Sequence, residues 1–296
     1  MSARHNLKGA LYLCLAMGAF GVLDACIKIL SAHYSSMQVV TLRGLSSLPL
    51  ALIWVMWRGT FSSLFRVRWR LHVVRGLLGI VMIWSLSQGL RALPMTQVYA
   101  IFFTAPLMMA VLSGPILGEK AHASHWVALA LGLAGVLIAM RPQNAGWLSW
   151  AALAVMLTAL SYSLSNLISR LLSRTDSVES QVVWMLVALA GGSALFSVGT
   201  WQPVRAEDYL PLALLASMGL VGQIAITQAF KWGQPSAIAP FEYTALLWSI
   251  SLDIAIWAQW PDAATLAGAS VIAASGLWLL KQERRQAKLL AEPPAH

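Results

Sequence analysis

The chain has 296 residues, of which 58% are hydrophobic and only 10% are charged, and its mean hydropathy is +0.69. Soluble domains carry about 25% charged residues, so the composition excludes a water-soluble globular protein. The net charge of +9 does not indicate nucleic-acid binding, because the basic residues lie in short breaks between apolar segments, as membrane topology signals do. We therefore expect a lipid bilayer as the surroundings and no nucleic acid as a partner.

Ten segments are apolar enough to cross a bilayer, since a spanning helix needs about 20 mostly apolar residues. Their predicted bounds are 7–30, 37–57, 70–90, 95–117, 123–140, 147–170, 179–200, 209–230, 236–259 and 263–281. Fourteen lysines and arginines fall on one side of this arrangement and three on the other, which places both termini in the cytoplasm. The prediction is an all-α, multi-pass protein of a bacterial-type inner membrane with ten transmembrane helices.

An internal repeat relates the two halves of the chain. The matched residues are Gln88 and Gln228, Arg91 and Lys231, and Thr104 and Thr244, each pair 140 positions apart. The halves then cover 7–140 and 147–281, followed by a cytoplasmic tail over 282–296. Because each half has five spans, the second enters the membrane from the opposite side. Such inverted repeats bind substrate near the midplane, between the halves.

Charged residues within the first two predicted spans are candidates for function, since a charge at the bilayer centre costs at least about 2.5–3.5 kcal/mol. Asp24 precedes Lys28 by four residues, which places both on one helix face in the order that favours an ion pair. Arg43 offers a planar fork for a substrate carboxylate. The alternatives are a structural Asp24–Lys28 pair, Lys28 extending to the interface, or Arg43 neutralising Asp24 or bonding to backbone carbonyls.

The ninth predicted span carries a second polar stripe at helical spacing. Its members are Glu242, Leu246, Ser249 and Asp253. An acid inside a span can hold a cationic group or carry a proton, so Glu242 and Asp24 are the candidates for coupling transport to a gradient. Asp253 has the alternative of a position near the outer interface.

Neutral polar residues inside the spans complete the candidate substrate site. They are Gln88, Tyr99, Tyr162, Asn166, Gln223 and Tyr243, although such residues often only join membrane helices to each other. The sequence contains no HExxH, Walker-type, GxSxG or CxxC motif, so we expect neither an enzyme nor a cofactor. His122 and His125 lack a third ligand nearby, so we expect no metal site either.

Several short motifs resemble the EamA-type transporters of the drug/metabolite transporter superfamily. They are Pro106 followed by Leu117-Gly118-Glu119, Thr41-Leu42-Arg43, and Ser161-Tyr162-Ser163. The resemblance covers both halves, but Trp260-Pro261 stands where the second Gly-Glu motif would be. It implies a ten-helix basket whose central cavity is lined by helices one to four and six to nine. It also implies alternating access for small metabolites, often outward.

We therefore expect an exporter of a small amino-acid-like or zwitterionic metabolite, because the predicted cavity carries both acidic and basic groups. The chain is similar to exporters of opine-type metallophores such as pseudopaline. Two alternatives remain open: an uptake carrier for a nucleoside-like or sulfonium metabolite, and a membrane-embedded enzyme or assembly subunit. The sequence is also compatible with a homodimer through the peripheral helices.

Overall fold

The computed structural model of the chain describes residues 3–30, 33–92, 101–118, 123–140, 149–257, 260 and 262–289. These residues form helices and their connections, and no strand occurs among them. The long helices are α1 (Ala3–Leu30), α2 (Ser36–Trp57), α3 (Trp69–Ala92), α4 (Ala105–Leu117), α5 (Ala123–Met140), α6 (Trp150–Leu172), α7 (Val178–Ser197), α8 (Tyr209–Trp232), α9 (Thr244–Trp257) and α10 (Ala263–Leu289).

Six helices in the described part of the chain, α1 to α3 and α6 to α8, are long and apolar enough to cross a bilayer. Shorter apolar stretches lie in α4, α5 and α10. The predicted all-helical membrane protein is therefore confirmed. The ten-span inverted repeat and the cytoplasmic position of both termini stay predictions.

The ninth predicted span, 236–259, is wrong as one continuous helix. It consists of a single helical turn, Pro235–Ile238, then a 3-10 segment, Ala239–Tyr243, and then α9. Pro240 has no amide hydrogen for the helical ladder, which favours the break. Glu242 therefore lies in the 3-10 segment and does not continue the stripe of α9. The side chains of Ser249 and Asp253 lie outside the described part of the structure.

The fourth predicted span, 95–117, has a break of the same kind. α4 begins only at Ala105, after a turn in which Thr104 Oγ1 donates a hydrogen bond to Ile101 O at 2.7 Å. Thr244, the first residue of α9, makes the equivalent bond to Phe241 O at 2.6 Å. The two threonines that the internal repeat matches thus stabilise the same local turn.

Contacts between the helices define two ends of the bundle. Asn6 at the start of α1 accepts a hydrogen bond from Gln234 N at 3.0 Å. Arg170 at the end of α6 donates to Phe230 O near the end of α8 at 3.0 Å. We call this the near end, where α1 begins and α6 and α8 finish. At the far end α1 finishes and α2 and α8 begin.

Two buried carboxylates join loops of the two halves. At the near end, Asp176 Oδ2 accepts a hydrogen bond from Arg68 N at 3.0 Å and lies 3.0 Å from His72 Nε2. At the far end, Asp208 Oδ2 accepts one from Tyr34 Oη at 2.7 Å and lies 3.3 Å from His33 Nδ1. We call these groups the near clasp and the far clasp.

The near clasp makes stability depend on pH. Burial would raise the pKa of the Asp176 carboxyl, but hydrogen bonds from Thr175, Arg68 N and His72 outweigh it and hold the pKa below its ordinary value. A carboxyl with a lowered folded-state pKa contributes stability above its unfolded pKa, about 3.9. That contribution is lost as the pH falls through the folded-state pKa.

Asp176→Asn is therefore expected to lower the free energy of unfolding at neutral pH by about 1–3 kcal/mol, because it removes hydrogen bonds to a charged acceptor. The difference from the native chain should shrink in acid, below about pH 4. Thermal unfolding in detergent at both pH values measures this. Glu207→Gln, at an exposed carboxylate, is the control. An equal deficit at both pH values would show that the Asp176 charge is unimportant.

Candidate functional site

Asp24 and Arg43 form the first polar group inside the bundle. Asp24 is exposed although it lies well inside α1, and Arg43, two turns into α2, is half-buried. The two charges interact electrostatically, but neither side chain forms a salt bridge or hydrogen bond with another described residue. Asp24 lies in the last turn of the candidate span His5–Ile27, where an exposed carboxylate is expected to face water or polar groups and not lipid.

The surroundings of Arg43 hold its guanidinium in place without using its donors. The guanidinium carbon lies 5.7 Å from the centre of the Phe20 ring, a cation–π distance. Gly219 on α8 lies beside it, and a Cβ there would be in ordinary contact with Arg43 Nε, at 3.6 Å. Arg43 Nε is buried and has no partner in the described structure. The planar fork of Arg43 is therefore free to bind an anion.

Glu242 is the centre of the second polar group, at the break before α9. It is 4% exposed and accepts a hydrogen bond from Tyr162 Oη at 3.2 Å. Asn166 lies one turn further along α6 and Tyr243 follows Glu242 in the chain. Asn166 Nδ2 and Tyr243 Oη are both buried without a partner among the described residues. The carboxylate thus lies in an apolar core with neutral hydrogen-bonding groups around it.

The position of Tyr243 depends on a glycine in α5. The Tyr243 ring contacts Gly132 so closely that a Cβ at this position would overlap it. On its other side the ring lies 5.8 Å from that of Phe103. The break before α9 is therefore packed between α5 and the turn that precedes α4.

The other predicted site residues are less informative. Gln223 on α8 is buried and Gln88 on α3 is half-buried. Tyr99 and the side chain of Lys28 lie outside the described residues, so the predicted Asp24–Lys28 pair stays a prediction.

One group of side chains has ligands of the kind that metals bind. His33, Glu207 and Asp208 place one ligand atom each within 4.8 Å of one another. Tyr34 already donates to Asp208, and Glu207 lies 3.4 Å from Arg205 Nη1. These side chains are thus engaged with each other and with neighbouring protein groups.

An apolar cleft of about 340 Å³ lies between α4 and α6. It is lined by Thr104, Leu107, Met108, Val111, Leu112 and Leu160. The lining carries no charge, so this cleft does not suit a zwitterion.

Sequence reasoning missed several buried polar residues. Arg75, 2% exposed, donates to Gln181 O at 3.2 Å, and Arg170 donates to the last carbonyls of α8. Asp176 and Asp208 form the clasps. Arg75 carried a signal, since it is a charge within a predicted span. The two aspartates are in loops, where acidic residues are common, so nothing distinguished them.

The described part of the chain has helices that can cross a membrane and charged side chains among them that lack a direct partner there. These features are typical of multi-pass transport proteins. Residues 7–141 match the EamA-like transporter family. The chain is also 30% identical over 222 residues to a riboflavin transporter of Rhizobium johnstonii, with 74% of this chain and 72% of that protein covered. The chain therefore belongs to the EamA-like transporter family, in agreement with the resemblance found in the sequence, and is a multi-pass inner-membrane protein.

More distant relatives have different named substrates. The chain is 25% identical to an S-adenosylmethionine uptake transporter of Rickettsia prowazekii, with 94% of each covered. It is 22% identical to the pseudopaline exporter CntI of Pseudomonas aeruginosa, with 93% of this chain and 97% of that protein covered. A solved crystal structure shares the fold, with a TM-score of 0.81 and 18% identity over 96% of this chain and 99% of that one.

Proposed function

We propose that the chain is a secondary active transporter that exports a small zwitterionic metabolite by alternating access. The observation that carries this proposal is the state of Asp24 and Arg43, two opposite charges that face each other inside the bundle without a direct salt bridge. A zwitterion with an amine and a carboxylate would bind both at once, with its amine at Asp24 and its carboxylate at Arg43.

The energetics favour a ligand between these charges over a purely structural pair. A structural pair would gain most from direct contact, because only good geometry and further hydrogen bonds offset desolvation. Arg43 instead leaves its donors free and is held by an aromatic ring. Charged groups that stay accessible, such as Asp24 and Arg43, suit a site that binds a substrate reversibly.

Helix pairing supports alternating access between two halves. The most extensive contacts join α1 with α8, α2 with α7, α3 with α6, and α5 with α10. If each helix is replaced by its counterpart in the other half, five helices earlier or later, α1–α8 becomes α6–α3, whereas α2–α7 and α5–α10 stay the same. α3 and α6 are antiparallel, since Arg68 lies by the end of α6 and Gly89 packs on Val155 near its start. Inverted repeats would produce this pattern.

We assign proton coupling to Glu242. Its carboxylate is buried among neutral donors, so the neutral form is favoured when the site is dry and the charged form when water enters. Such a group releases its proton as the surrounding cavity opens. Asp24 is the second coupling candidate, but its exposure and its neighbour Arg43 suit substrate binding better.

Uptake is the second candidate function. It is favoured by the similarity to the S-adenosylmethionine uptake transporter, which covers nearly the whole of both chains. The same Asp24 and Arg43 pair would accommodate an amino-acid group carried by a larger metabolite. The direction of transport is therefore the property to measure first.

The test compares metabolites in cells with and without this protein, in medium and cytosol together. Export predicts a zwitterion that accumulates inside and disappears from the medium when the protein is absent. Uptake predicts the reverse. Cells that carry the Asp24→Asn chain at equal membrane level should resemble cells without the protein. No difference in any metabolite across several growth conditions would overturn the transport proposal.

A further inference from the structure

α2 and α7 are joined along their whole length. At mid-length Gly44 approaches α7 so closely that a Cβ there would lie 2.7 Å from Ala190 N. Nearby, Thr41 Oγ1 and Ser193 Oγ share a buried hydrogen bond of 2.9 Å. Small residues and hydroxyl pairs of this kind allow close helix packing in membranes. The two helices therefore contact each other directly, backbone against backbone, between the two clasps.

The far end of this contact is closed by more than the far clasp. Gln38 and Gln202 exchange two hydrogen bonds, with Gln38 Nε2 donating to Gln202 O and Gln202 N donating to Gln38 Oε1. Ser35 Oγ lies 3.2 Å from Thr200 Oγ1. Tyr34 Oη, which donates to Asp208, also accepts from Arg205 N at 2.9 Å. The loop before α2 is thereby joined to the segment between α7 and α8.

The near end is closed in a matching way. Ser63 Oγ lies 3.0 Å from Ser177 Oγ. Trp184 Nε1 donates to Leu64 O at 2.8 Å. Glu179 lies 3.4 Å from Arg58 Nη1. The loop after α2 is thereby joined to the start of α7, beside the near clasp.

The two closures follow one plan. Ser35 is the N-cap of α2 and Ser177 is the N-cap of α7. Each cap serine contacts a hydroxyl in the segment that follows the other helix: Ser35 with Thr200, and Ser177 with Ser63. Exchange of the halves therefore converts one closure into the other. We call α2, α7 and their two closures the α2–α7 seam.

We propose that the α2–α7 seam is the fixed fulcrum of the transport cycle, closed at both ends while the cavity opens alternately on the side away from it. This inference rests on the proposed transport function. Both closures are formed together in one structure, so closure at one end does not require the other end to open. Opening either clasp would also leave a buried carboxylate, Asp176 or Asp208, without its donors, which is unfavourable.

The parts that move are then the two broken helices. α4 packs chiefly on α6 and on the Pro235–Tyr243 segment. Its own break lies at Thr104, and the matching break lies at Thr244. Hinges usually lie at the ends of helices, where a few residues absorb the change in backbone angles. The Glu242 group lies at one of these breaks, so its exposure to water would change with the motion.

The experiment fixes each end of the seam with a disulfide. Both free cysteines, Cys14 and Cys26, are first replaced by alanine. One variant then carries Ser35→Cys and Thr200→Cys, and the other carries Ser63→Cys and Ser177→Cys. The short distances between the hydroxyl oxygens make both pairs suitable for a disulfide. The reduced form of each variant is its matched control, because it has lost the same serine cap.

We expect each oxidised variant to transport at the rate of its reduced form, with transport read as the change in medium and cytosol of the metabolite identified above. We also expect oxidation to raise the thermal midpoint. A loss of transport on oxidation at either end, restored by a reductant, would identify that end as a gate and overturn the proposal.

If the cysteine-free parent changes no metabolite while the native chain does, spin labels at the same four positions test the proposal. Equal distances between the labels with and without a pH gradient support the fulcrum, and distances that change overturn it. If the native chain changes the level of no metabolite in medium or cytosol, the proposed transport function itself is wrong.

Discussion

Replacing Arg43 with alanine is expected to lower the apparent affinity of transport for its substrate sharply while the protein still reaches the membrane. A guanidinium that binds a carboxylate by two charge-assisted hydrogen bonds contributes about 2–5 kcal/mol when the pair is desolvated. Its loss corresponds to a fall of roughly 30-fold or more in apparent affinity. Folding should suffer little, since no hydrogen bond from Arg43 to a described residue is lost. Transport rate against substrate concentration, in membranes with equal protein, measures the effect.

Two further variants show which property of Arg43 matters. Arg43→Lys keeps the charge but loses the planar fork, so we expect it to recover only part of the affinity. Arg66→Ala removes an exposed cation outside the helices and should transport like the native chain. If Arg43→Ala transports normally, Arg43 serves only to neutralise Asp24, and the zwitterion site must be placed elsewhere.

Hydropathy was sufficient to predict the six helices that are long and apolar enough to cross a bilayer, because a run of apolar residues in lipid has few alternatives to helical structure. It could not place the breaks at Thr104 and Thr244, since an apolar 3-10 turn and an apolar helix have the same composition. Pro106 and Pro240 were the available signals. A proline, however, breaks some membrane helices and only bends others, because neighbouring groups can satisfy the freed carbonyl. The outcome depends on neighbours such as Gly132, which leaves room for the Tyr243 ring.

The candidate site was predictable where a single residue is costly in lipid. A charged residue in an apolar segment is easily recognised, and the structure buries Glu242, half-buries Arg43 and leaves Asp24 exposed. What the sequence could not provide is their partners. Tyr162 precedes Glu242 by 80 positions, so only the fold reveals that the two meet. The clasps were unpredictable for the same reason, since Asp176 and Asp208 contact residues more than 100 positions away.

The two polar groups have different physical properties, which assigns them different tasks. Asp24 and Arg43 are accessible and of opposite sign, so a neutral zwitterion can enter between them with little change in net charge. Glu242 has no described cation beside it, and its described hydrogen-bond donor, Tyr162, is neutral. A buried acid of this kind is stabilised by binding a proton or a cation. The proposed function therefore assigns substrate selection to the first group and coupling to a gradient to the second.

Glu242→Gln is expected to eliminate transport driven by a pH gradient while it leaves substrate exchange intact. Glutamine has nearly the same shape and still accepts a hydrogen bond from Tyr162, but it cannot take up or release a proton in the cycle. In proteoliposomes with an imposed pH gradient, the variant should accumulate no substrate above equilibrium. Exchange of labelled for unlabelled substrate, which needs no net proton movement, should continue at close to the native rate.

Two companion variants make this result specific to the buried carboxylate. Glu207→Gln changes a carboxylate whose side chain is 68% exposed, and it should accumulate substrate as the native chain does. Tyr162→Phe removes the hydrogen bond to Glu242 but keeps the titrating group, so accumulation should persist with an altered dependence on pH. Accumulation by Glu242→Gln at the native level would assign Glu242 a structural role beside Tyr162. The coupling would then have to pass through Asp24, the second coupling candidate.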